Sequence, residues 1–140
     1  MEETMTKEYI YKGQKAEIKY EINWGLSMDY GTSLVKLHPE IKWHSETIGS
    51  YQGDIISIGV NKKGEWYYKN NSYGSCSGCD WVQGIYSKEE AEEFFKNQET
   101  IINLGKDKEI VKEYLRKEKE NCWDFEKENL DNLFKFIDNN

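Results

Sequence analysis

Proline is nearly missing from this chain: Pro39 is the one proline in 140 residues. With few low-complexity runs beside it, that argues against a disordered linker protein. Long apolar runs are missing too. No stretch approaches the roughly 18 to 20 apolar residues that a membrane span needs, so no span is expected. The opening Met1-Glu-Glu-Thr-Met-Thr-Lys7 is polar and acidic, whereas a secretory signal starts basic and then turns apolar. The expectation is a protein that stays in the cytoplasm. Cations are in the minority, with 19 Lys and Arg against 26 Asp and Glu for a net charge of −7. Phosphate contacts need clustered Lys and Arg, so a broad nucleic-acid-binding face is not expected.

The acidity is uneven. Residues 87–140 hold 15 acids and 10 bases, residues 1–86 hold 11 and 9. Lysines interleave with those acids, which fits a solvated helix surface better than a nucleic-acid mimic. Aromatics are plentiful at 14%, with ten Tyr and five Trp. They suit a half-buried sheet or a recognition surface, and composition does not separate the two. A length of 140 residues suits one domain, residues 1–86 mainly β and 87–140 mainly α.

Strand signals come first. Ala16, Ile18, Tyr20 and Ile22 alternate with Glu17, Lys19 and Glu21, the period of a strand with one wet face. Tyr9-Ile-Tyr11 before Lys12-Gly-Gln14 reads as its partner across a short turn. Residues 33–37 and 41–43 read as short strands between glycine and proline breaks. Asp54-Ile-Ile-Ser-Ile-Gly-Val60, the turn Asn61-Lys-Lys-Gly64 and Glu65-Trp-Tyr-Tyr-Lys69 predict a hairpin.

Helix signals follow. Ser87-Lys-Glu-Glu90 is a capping box, and Ala91, Phe94, Phe95, Gln98, Ile101 and Ile102 continue at helical spacing toward a stop at Gly105. Asp107 caps a second helix with Ile110, Val111, Tyr114 and Leu115 facing inward. Leu130, Leu133, Phe134 and Ile137 form a last amphipathic run, and residues 121–124 either interrupt one helix or separate two. The fold class this predicts is α+β: an antiparallel sheet of four to six strands from the N-terminal half, one face covered by two or three C-terminal helices.

Chemistry concentrates in Tyr73-Gly-Ser-Cys-Ser-Gly-Cys-Asp-Trp81. Four readings stand side by side. Cys76 and Cys79 have the spacing of two zinc ligands, and Cys122 and His44 are the soft donors that could complete a tetrahedron, making zinc the one cofactor considered. A redox CxxC would start a helix, but the βαβ pattern of that fold is missing upstream. Gly74, Ser75, Ser77 and Gly78 could present amides and hydroxyls to a phosphate or small nucleotide. Alternatively the segment is a tight turn with small buried thiols and Asp80 at a helix start. A lasting disulfide is the least expected state in a reducing cytoplasm. His38 and His44 have no readable nucleophile beside them. Asp54 and Glu65 could meet as a carboxylate pair across the hairpin. No catalytic set emerges.

The pairing of Tyr51-Gln-Gly-Asp54 before one strand with Tyr73-Gly-Ser-Cys-Ser-Gly-Cys-Asp80 after the next resembles a group of small uncharacterised phage and bacterial proteins. In them, similar elements flank one hairpin, and a similar acidic helix start follows. The likeness spans residues 49–95 and brings no activity with it. It implies a context, the cytoplasm of a bacterial host, and a class of action: a non-enzymatic protein that binds and inhibits a host defence component, such as a CRISPR effector or a defence-signalling complex. The alternatives are a nucleotide-sequestering protein using the Gly/Ser/Cys loop and a zinc-stabilised module. The expected contact residues are Tyr51, Gln52, Gly53, Asp54, Tyr73, Gly74, Ser75, Ser77, Asp80 and Trp81.

Overall fold

A computed structural model describes residues 4–11, 14–21, 37–49, 53–73, 87–122 and 124–140. In chain order the elements are β1 (Thr4–Tyr11), β2 (Gln14–Glu21), β3 (Lys42–Gly49), β4 (Gly53–Val60), β5 (Trp66–Tyr73), α1 (Lys88–Glu99), β6 (Ile102–Gly105), α2 (Lys108–Asn121) and α3 (Lys127–Asp138). Strands β1 and β2 pair as an antiparallel hairpin, Tyr11 opposite Gln14. The larger sheet is antiparallel with order β3-β4-β5-β6. This is the α+β arrangement expected, with its fourth strand drawn from between two helices.

The hairpin turn owes its shape to Asn61. Its Oδ1 accepts from the amides of Lys63 (3.0 Å) and Glu65 (2.9 Å), and Gly64 takes φ +81°, which a side chain would strain. From there β4 and β5 run in register, Val60 opposite Trp66 and Gly53 opposite Tyr73.

Alternation along the strands sends side chains to two faces. Ile48, Ile56, Ile58, Trp66 and Tyr68 form one core with Val111 and Leu115 of α2, Phe125, and Leu133 and Ile137 of α3. The opposite face carries Ile55, Ser57, Lys69 and Asn71, all buried, and meets α1. Helices therefore cover both faces of the sheet, not the single face expected. Five consecutive residues of β4, from Ile55 to Gly59, are buried, which is what covering both faces demands.

Contacts with α1 on that second face are polar and specific. Asn71 Nδ2 donates to Gln98 Oε1 at 3.1 Å, and Gln98 Nε2 donates back to Asn71 Oδ1 at 2.7 Å, with both residues buried. Lys69 Nζ donates to the carbonyls of Asn97 (2.7 Å) and Thr100 (3.0 Å) and to Asn97 Oδ1 (2.9 Å). A cation on the last carbonyls of a helix also opposes the negative end of its dipole.

Helix starts follow the caps. Ser87 Oγ accepts the Glu90 amide at 3.1 Å, although Glu90 answers the Ser87 hydroxyl and not its backbone N–H. Asp107 accepts the Glu109 amide at 2.9 Å. The first helix stops at Glu99 and not near Gly105. Ile101 and Ile102 fit a helical repeat, yet residues 102–105 pair with Trp66–Tyr68 of β5 as an edge strand. Ile110 is 58% exposed, so of the four α2 residues expected inside, Val111 and Leu115 are buried and Tyr114 is half-buried. Helices α2 and α3 are separate. The expected strand at 41–43 is the start of a longer β3, and most of the expected strand at 33–37 lies outside the described residues.

Two stability predictions follow from this packing. A Cβ on Gly59 would lie 2.4 Å from Ile41 Cγ2 and 2.8 Å from Trp43 Cε3. Overpacking of that kind predicts that Gly59→Ala lowers the unfolding free energy by about 1–3 kcal/mol in urea titration. For the amide pair, Asn71→Leu or Gln98→Leu alone strands a buried amide and costs about 1–3 kcal/mol. The double substitution costs less than the sum of the two; strict additivity would mean that the pair is not coupled.

Candidate functional site

Where the sheet ends with Gly49, Gly53 and Tyr73 in register, β3, β4 and β5 stop side by side. Gly53 is glycine for a backbone reason: a Cβ there would fall 2.0 Å from the Ile48 carbonyl oxygen. Beside it opens a cleft of about 270 Å³, lined by Ile48, Gly53 and Asp54, by Asn70 of β5, and by Glu118, Asn121, Cys122 and Asp124 around the end of α2.

Three of these eight residues are carboxylates and none is basic. Cys122 Sγ donates to Asp54 Oδ2 at 3.4 Å. Burial first, and then the Asp54 carboxylate, push the Cys122 thiol above its ordinary value of 9.0. This thiol is a protonated donor at neutral pH and not an activated nucleophile. Deeper in, the Tyr68 hydroxyl donates to Glu118 Oε2 at 3.2 Å. Burial, reinforced by the Glu118 charge, holds Tyr68 well above the ordinary tyrosine value, and Tyr114 is raised by the same two causes. The rings of Tyr68 and Tyr114 meet edge to face with centroids 4.9 Å apart. What the cleft offers is hydrogen-bond acceptance and negative charge.

The sequence-derived candidates divide as follows. Gly53 and Asp54 line the cleft, and Tyr73 is the register partner of Gly53. Tyr51, Gln52, Gly74, Ser75, Ser77, Asp80 and Trp81 lie outside the described residues, as do Cys76 and Cys79. Of the remaining thiol and imidazole donors, Cys122 sits on Asp54, while His44 is engaged elsewhere. His44 Nε2 lies 2.8 Å from Glu46 Oε2, and its ring stacks on Phe136 at 5.4 Å. His44 pairs with Ile58 and Asp54 with Ile48, so the two donors are separated by four residues of strand, about 13 Å. Among the described residues no group of three His, Cys, Asp or Glu side chains is arranged to hold a metal ion. His38 Nε2 lies 3.0 Å from the Gln98 carbonyl oxygen and is spent on packing α1.

Asp54 and Glu65 do not form a carboxylate pair. Asp54 is near the start of β4, and Glu65 lies beyond its far end, at the turn, about 20 Å along the strand. Sequence reasoning missed Asn70, Glu118, Asn121 and Asp124. A signal existed only within α2, where Glu118, Asn121 and Cys122 share a helical face at i, i+3 and i+4.

No family model, curated protein or solved structure matches this chain. No helix among the described residues is long and apolar enough to cross a membrane.

The perturbed groups make the fold sensitive to alkali. Cys122, Tyr68 and Tyr114 all have raised values in the folded chain, so the unfolded chain releases their protons first. Their contribution is complete below about pH 9 and is lost progressively as pH climbs above the ordinary values of 9.0 for the thiol and 10.0 for the tyrosines toward the raised folded ones. Lys69, lowered by burial, acts in the opposite direction toward 10.5. Denaturant titrations at successive pH values are expected to show a net fall above pH 9. Tyr68→Phe makes the fall shallower, and an unchanged slope would rule out Tyr68 as a source.

Proposed function

We propose that this chain is a binding protein, acting in the cytoplasm of a bacterial host, that inhibits a defence component by capturing a basic element of it at the Gly53 end of the sheet. The observation that carries this reading is the register of Gly49, Gly53 and Tyr73 beside the carboxylate-lined cleft. Of the two segments that resemble elements of small phage proteins, Gly53 and Asp54 of the first and Tyr73 of the second stand at that end of the sheet. Asp54, Glu118 and Asp124 then supply acceptors whose complement is an arginine or lysine side chain, with Asn70 and Asn121 able to accept further N–H bonds. A net charge of −7 steers a cationic partner toward the molecule from a distance. The same carboxylates oppose a phosphate, so this cleft favours a basic protein surface over a nucleotide.

The test uses bacterial strains that each carry one defined defence system, challenged with a phage that the system restricts. Expression of the chain is expected to restore plaque formation in at least one strain. Asp124 is exposed, so Asp124→Lys leaves the fold intact while reversing a charge on the cleft. It is expected to weaken binding to the purified target by about tenfold or more, equivalent to about 1.4 kcal/mol. The loss is expected to shrink as salt is raised. Restriction unrelieved in every strain, or full potency in Asp124→Lys, overturns the reading.

A further inference from the structure

We draw no further inference here: the strongest candidate outside the sheet-end cleft, the groove of about 450 Å³ between residues 39–42 and the 60–64 turn, sets Lys42 and Lys62 against Glu40 over apolar Ile41 and Val60, and nothing in the structure shows what covers it.

Discussion

Strand β4 is buried on both of its faces, and the placement of the other elements answers to that. Ile56 and Ile58 point into one core and Ile55 and Ser57 into the other, so neither face tolerates water. Burying such a side chain is worth about 1.5–3 kcal/mol, and a strand with two apolar faces gains it only if two layers close over it. Helices α2 and α3 form one layer, and α1 stands over the other face. The hairpin with β5 supplies the hydrogen bonds of one β4 edge and β3 those of the other, which leaves the central backbone fully paired.

The two layers are held by different physics. On the α2 and α3 side the packing is mainly apolar, with Val111, Leu115, Leu133 and Ile137 fully buried against Trp66 and the isoleucines and the Tyr68–Glu118 and Cys122–Asp54 hydrogen bonds beside them. The α1 side adds buried polar groups, Lys69, Asn71 and Gln98, and these have value only in one geometry. Burying an ammonium without a carboxylate partner is costly, and the cost is offset here by three oxygens from residues 97 and 100. Those bonds end the helix where they do. Once Lys69 holds the 97 and 100 carbonyls, the chain leaves α1 at the β5 edge, positioned to pair as β6.

That sequence of constraints explains which parts of the fold could be read directly. Local chemistry sufficed for the Asn61 to Gly64 turn, for the caps at Ser87 and Asp107, and for alternation in β2. The two-sided burial has a trace in the sequence, since Ile55 beside Ile56, Ile58 and Val60 breaks strict alternation, but that run alone is equally compatible with a sheet covered on one face. Strand β6 was hidden for a different reason. Ile101 and Ile102 satisfy a helical period as well as a strand, and pairing with residues more than 30 positions away decides between them. The cleft is harder still. Asp54 meets Cys122 across 68 residues, and no spacing rule reports a contact of that range.

The geometry also separates scaffold from surface inside the motif Tyr51-Gln-Gly-Asp54. Gly53 is required where the Ile48 carbonyl comes within 2.0 Å of a would-be Cβ, so its identity follows from closing the β3 to β4 connection. Asp54 has no such backbone role. Its neighbours on β4 are apolar, and a carboxylate at this position opens the end of an otherwise greasy strand to water and to α2. The thiol of Cys122 occupies one of its oxygens with a weak donor. Among the described residues, Glu118 and Asp124 join Asp54 in lining the cleft. Three carboxylates thus gather at one end of the sheet, and the proposed recognition of a basic partner rests on that grouping.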